Sequence, residues 1–137
     1  MPPEQSAAVA SATGVLIVDD QQPVTRALSV LLRNAGFDPH TCHSGGEALA
    51  YSESHRPAAA VVDIHLPDIN GLILVQMLRN RFGATFPIIV VSGDTSMETI
   101  KSLSHVGATY FFSKPISPGA LVEKLKTLLA GGTRVAS

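Results

Sequence analysis

Four short apolar runs in this chain of 137 residues lead into polar residues that can do chemistry. Asp19 and Asp20 follow Val15-Leu16-Ile17-Val18, and Asp63 follows Ala58 to Val62. Ser92 follows Phe86 to Val91, and Lys114, with Pro115 after it, comes just beyond Thr109 to Phe112. Carboxylates brought together repel, so one must take up a proton or a cation must lie among them. A hard divalent cation with oxygen ligands suits such a cluster, and Mg²⁺ uses one or two carboxylates together with waters and phosphate oxygens. A carboxylate can also serve as a nucleophile and become an aspartyl phosphate. Lys114 could neutralise one phosphoryl oxygen and the Ser92 hydroxyl could donate to another. Nucleophile, metal, ammonium and hydroxyl together read as a phosphoryl-transfer site.

Each of these residues has a plainer role when taken alone. Asp19-Asp20 could cap a turn before a helix, Asp63 could be a turn residue, Ser92 could simply end a strand, and Lys114 could be a solvated surface cation. The chemical reading therefore needs elements that bring the four positions together. The runs are β-rich and too short for helices, and their continuous hydrophobicity predicts strands buried on both faces, as in a parallel sheet. A weaker strand is expected from Asp38 to His43. Between the strands lie helical patterns. Val24, Ala27, Leu28, Leu31, Leu32 and Ala35 form a helical stripe, with Pro23 suited to its first turn and Gly36 to its stop. Ser44 to Glu47 and Thr95 to Glu98 read as capping boxes. Asn70-Gly71 leads into Leu72 to Phe82, and Ser117-Pro118 opens a last helix with Leu121, Val122, Leu125, Leu128 and Leu129 on one side.

Five β-α repeats predict an α/β fold: a doubly wound, five-stranded parallel sheet with helices on both faces. Ligands of such sheets bind outside the carboxyl ends of the strands, near the topological switch point. With strand order 2-1-3-4-5, strands 1 and 3 are neighbours and the three carboxylates converge. The ordered domain is expected over residues 13–130, with 1–12 and 131–137 as disordered tails.

At this point the sequence resembles the receiver domain of two-component response regulators, of flavodoxin-like, CheY-like fold. The resemblance is carried by Val15 to Asp20 (VLIVDD), Asp63 to Gly71 (DIHLPDING), Ile89 to Gly93 (IVVSG) and Gly107 to Pro115 (GATYFFSKP), and it covers about residues 14 to 129. It implies that Asp63 accepts the phosphoryl group, and that Asp20, Asp63 and the backbone carbonyl of His65 hold Mg²⁺ with Asp19 acting largely through water. It also implies that Ser92 follows the phosphoryl group, that Lys114 is its cationic partner, that Phe111 is the aromatic switch, and that Lys114-Pro115 is cis. Phe111 lacks the hydroxyl of the family's commoner tyrosine. The implied module is not an enzyme in the ordinary sense. It takes its phosphoryl group from a histidine kinase or histidine phosphotransfer protein. It then signals to a downstream protein, or to a second copy of itself, through the face near residues 95–101, 110–113 and 120–124.

Two other chemistries fit less well. A haloacid dehalogenase-type phosphatase needs Asp-x-Asp after its first strand, where this chain has Asp19-Asp20-Gln21-Gln22. A flavodoxin-like cofactor binder needs a first loop rich in Ser, Thr and Gly, and Asp19-Asp20 would repel its phosphate. The net charge of -1 excludes the basic footprint of a nucleic-acid binder. No apolar run approaches the ~20 residues that span a bilayer, and the N-terminus lacks the pattern of a signal peptide, so a cytoplasmic protein is expected. The five histidines show no metal-ligand spacing, and Cys42, the single cysteine, is expected in the core.

Overall fold

The computed structural model describes residues 9–136. Five strands alternate with five helices: β1 (Gly14–Val18), α1 (Gln22–Asn34), β2 (Asp38–Cys42), α2 (Gly45–Ser52), β3 (Ala59–Asp63), α3 (Gly71–Phe82), β4 (Ile88–Ser92), α4 (Met97–Val106), β5 (Tyr110–Ser113) and α5 (Pro118–Ala136). The strands form one parallel sheet in the order β2-β1-β3-β4-β5. β1, β3 and β4 are buried along their whole length, which is why they read as unbroken apolar runs. The edge strands β2 and β5 carry polar and half-exposed positions instead.

Period-two alternation divides the core between the two faces of the sheet. Leu16, Val18, Ala60, Val62, Ile88 and Val90 pack with Ala48 of α2, Leu74 and Leu78 of α3 and Leu103 of α4. Val15, Ile17, Ala59, Val61, Ile89 and Val91 pack with Leu28 and Leu32 of α1 and Leu121 and Leu125 of α5. Cys42 lies in the first of these clusters and is buried, which pushes its thiol up to about 11.

Local chemistry sets the element ends. Pro23 sits in the first turn of α1, and Gly36 takes φ 96° just after its end. Ser44 Oγ accepts from the Glu47 amide, while the Glu47 carboxylate reaches back to the His43 amide. Asn70 caps α3 by accepting from Leu72 N–H.

The structure differs from the sequence reading in four places. α1 buries Thr25, Leu28 and Leu32 and leaves Ala27 and Leu31 exposed, so its inward stripe is rotated towards Thr25. That rotation is tolerable because the Thr25 hydroxyl donates to the Gln22 carbonyl. Ser96, not Thr95, caps α4, accepting from Thr99 N–H. Val9–Ala10, inside the expected N-terminal tail, pairs in parallel with His55–Arg56; residues 1–8 of that tail lie outside the described residues. α5 stays helical to Ala136, past the expected boundary at residue 130, since an established helix gains a hydrogen bond for each added residue even across Gly131-Gly132.

Candidate functional site

The sheet order makes β1 the neighbour of β3, and the register places Val18 opposite Val62. Asp19 and Asp63 are each the next residue along. Asp63 also pairs with Val91, one residue before Ser92, and Ser92 pairs with Ser113, one residue before Lys114. Three strand pairings therefore bring Asp19, Asp63, Ser92 and Lys114 to one edge of the sheet. Asp19, Asp63 and Ser92 are buried, whereas Asp20 is exposed.

Lys114 Nζ lies 3.0 Å from Asp63 Oδ2 and 3.2 Å from Asp19 Oδ2. The other Asp63 oxygen, Oδ1, accepts from the His65 amide at 3.1 Å, so both oxygens of this carboxylate are oriented. Asp19 Oδ1 accepts from Gln21 N–H. Burial raises the Asp19 pKa against that bond, and the nearby Asp63 charge adds to the rise while Lys114 opposes it. Burial alone would lower the Lys114 pKa, but its bond to Asp63 and the charges of Asp19 and Asp63 leave it raised.

Asp19, Asp20 and Asp63 each offer a carboxylate oxygen, and these atoms lie within 4.8 Å of one another. Two of the three carboxyl groups pair with the Lys114 ammonium, and no hydrogen bond or ion pair engages the Asp20 side chain among the described residues. An open, exposed oxygen ligand beside two buried ones is the donor chemistry that a hard divalent cation takes, with space on the solvent side for waters or phosphate oxygens. The loop that follows Asp63 is held tightly. Gly71 N–H donates to the Ile64 carbonyl at 2.7 Å, an approach only glycine permits, because a Cβ there would lie 2.4 Å from Ile64 Cα. His65 forms an isolated bridge with Asn70 and its side chain is exposed.

Ser92 Oγ accepts from Asp94 N–H at 2.9 Å. Phe111 is half-buried on the sheet face that carries Leu103 of α4. Tyr110 is exposed, with Lys124 Nζ 4.0 Å above its ring. Lys114-Pro115 is cis. Lys114 also borders an apolar groove of about 570 Å³ lined by Pro23, Val24, Ala27 and Leu28 of α1 with Pro115 and Ile116.

Over residues 15–126 the sequence matches the response regulator receiver domain. The chain belongs to this family. The receiver is 33% identical over 115 residues to the transcriptional regulatory protein TrcR of Mycobacterium tuberculosis, covering 84% of this chain and 44% of TrcR. It is 35% identical over 115 residues to the transcriptional regulatory protein PrrA of the same organism, covering 84% of this chain and 49% of PrrA. The chain therefore spans about half the length of these curated relatives. Among solved structures, a CheY-like response regulator receiver domain protein from Methanospirillum hungatei superposes with a TM-score of 0.84 at 29% identity, covering 90% of this chain and 98% of that one.

Two residues of this receiver's site region escaped the sequence reading. Asp68, in the loop after Asp63, accepts from the amides of Gly45 and Gly46 at 2.9 and 2.8 Å and so ties that loop to the start of α2; these bonds hold its pKa low. Asp94 accepts from Ser96 N–H at 2.9 Å and from the Thr99 hydroxyl at 2.7 Å. The pattern Asp94-x-Ser96 is an Asx-turn signal that could have flagged the second. Besides the adjacent Ile69 amide, the partners of Asp68 lie more than twenty residues away in sequence, and no local pattern marks them.

Proposed function

We propose that this receiver accepts a phosphoryl group on Asp63 from a phosphohistidine-bearing protein, with Mg²⁺ held by Asp19, Asp20, Asp63 and the backbone carbonyl of His65. The observation that carries the reading is the clustering of three carboxylates, two of them paired with Lys114. When bound, Mg²⁺ supplies positive charge to the incoming phosphoryl oxygens. Asp63, its carboxylate oriented by the His65 amide and Lys114, attacks the phosphorus; an O–P bond forms, the N–P bond to the donor imidazole breaks, and the imidazole leaves with the bonding pair. Lys114 pairs with the charge gained, and the Ser92 hydroxyl turns to donate to a phosphoryl oxygen. The apolar groove beside Lys114 gives a protein donor a surface adjoining the acceptor.

The product carries about -1.5 to -2 charges and three acceptor oxygens. In this reading the movement of Ser92 vacates space that Phe111 enters, and the face formed by α4, β5 and α5 changes shape for a downstream protein or a second copy of the chain. A two-state shift of this kind needs a few kcal/mol of differential interaction. The test is intact-mass analysis after incubation with acetyl phosphate. Wild type with Mg²⁺ should gain ~80 Da, one phosphoryl group, whereas wild type in excess EDTA and Asp63→Asn should not. Equal labelling of the mutant would remove Asp63 from the role.

A further inference from the structure

The N-terminal half of α4 is held differently from every core helix segment beside it. Its single buried residue, Leu103, lies in the C-terminal half. Residues 93–98 are exposed, and Met97 is 67% exposed. With so little apolar packing, the position of this first turn is set by hydrogen bonds, two of which run to the Asp94 carboxylate. Its Oδ1 accepts from Ser96 N–H and its Oδ2 from the Thr99 hydroxyl; Ser96 Oγ in turn accepts from Thr99 N–H and donates to Thr99 Oγ1. On its other side, the Asp94 amide donates to Ser92 Oγ.

The far end of the same helix is fixed. The Arg79 guanidinium donates to the carbonyl of Gly107, which ends α4 in a left-handed conformation, and to the carbonyls of Gly83, Ala84 and Phe86. α4 thus has one end tied to the body of the domain and one end tied to a single serine hydroxyl through one aspartate.

We infer that Asp94 is a positioning residue that transmits the state of Ser92 to the first turn of α4. The inference rests on the phosphoacceptor reading above. When the Ser92 hydroxyl turns to a phosphoryl group on Asp63, the Asp94 amide loses the acceptor it has in this structure and the Asp94 segment reseats. Its carboxylate carries Ser96 and Thr99 with it, so α4 pivots about the end held by Arg79. Asp94 touches none of the reacting atoms in this account. Its removal should uncouple the helix without preventing phosphorylation.

The experiment compares the 137-residue chain as wild type, Asp94→Ala and Thr99→Val by amide NMR, each with Mg²⁺ alone and with Mg²⁺ plus beryllofluoride as the phosphoryl mimic. Melting temperature and the Mg²⁺-only spectrum report folding. The readout is the beryllofluoride-induced change, which a merely structural role would not move. In wild type, shifts should change both in the loop after Asp63 and at residues 96–101. Asp94→Ala should keep the first set and lose most of the second, and Thr99→Val, which leaves the bond to Ser96 N–H intact, should lose part of it. Acetyl phosphate should label both variants as it labels wild type. Undiminished changes at residues 96–101 in both variants would overturn the inference alone. No change around Asp63 in wild type would overturn the phosphoacceptor reading and this inference with it.

Discussion

At the carboxyl ends of the strands, one ammonium is shared by Asp63 and Asp19 beside an open Asp20, and a serine hydroxyl is bonded to a loop amide. At the amino ends, the ties are guanidinium to backbone. Arg79 links the end of α3 to the loops before β4 and β5 through four carbonyls, and Arg56 donates to the Phe82 carbonyl while lying 5.3 Å from the centre of that ring. No carboxylate pairs with either arginine among the described residues. A guanidinium on carbonyls keeps its charge and its fork of donors at any accessible pH. Clustered carboxylates change state with every proton, cation or covalent group that arrives. One end of the sheet is built to be rewritten and the other to hold still, and α4 runs from the first to the second.

The largest effect is expected at the fixed end. Arg79→Ala removes charged donors from four backbone carbonyls, of which only that of Gly83 also accepts a backbone amide, and should cost about 2–3 kcal/mol. For a domain of this size that is a fall of roughly 10 °C in melting temperature. Arg79→Lys should recover little of it, because a point charge cannot span the same acceptors. Acetyl phosphate labelling should survive wherever either variant remains folded. A variant with unchanged stability would show that the carbonyl clamp contributes nothing.

The matching change at the other end should have the opposite sign. Asp20→Asn removes one of three crowded carboxyl groups and should raise metal-free stability by roughly 0.5–1 kcal/mol. It should also abolish most of the stabilisation by Mg²⁺, which for wild type reaches about 2.7 kcal/mol at about one hundred times Kd. Thermal melts with and without Mg²⁺ read both effects. A full Mg²⁺-induced rise in the mutant would take Asp20 out of the site.

The smallest expected effect lies between the two ends. His40 of β2 and His55 stack on opposite sides of Tyr51 of α2, with ring centroids 3.9 and 4.3 Å from it. Burial lowers the His40 pKa and so does His55, against the charges of Asp38 and Glu47. The folded state therefore binds a proton at His40 less readily than the unfolded chain does. Stability from this group is complete above the ordinary value of 6.5 and is lost as pH falls below it. His40→Gln should flatten the melting temperature over that window relative to wild type. An unchanged slope would place the titration elsewhere.

The strand-end residues were legible because a buried parallel strand must be apolar until it leaves the sheet, so Asp19, Asp63 and Ser92 stand out as abrupt ends of apolar runs. The order of the strands then does the converging. The roles of Asp68 and Arg79 were not legible in the same way. Each acts mainly on backbone amides or carbonyls, which every residue possesses, so the partner sequence carries no mark. α1 illustrates a related limit: its spacing favoured Leu31 over Thr25, but the hydroxyl of Thr25 is satisfied within its own turn and can face the core. The pairing of Val9–Ala10 with His55–Arg56 is likewise a backbone interaction between two short segments without an apolar signature of their own.

Of the three clustered carboxylates, Asp63 alone is expected to take the phosphoryl group. Borohydride reduces an aspartyl phosphate to homoserine and releases phosphate, so the acceptor can be read directly in a peptide map. After treatment with acetyl phosphate and Mg²⁺, borohydride reduction and tryptic digestion, fragmentation of the peptide spanning residues 34–79, which Pro57 keeps uncut after Arg56, should place homoserine at position 63 and leave Asp68 intact. Homoserine at position 19 or 20, or none anywhere in a chain that has gained phosphoryl mass, would contradict the account.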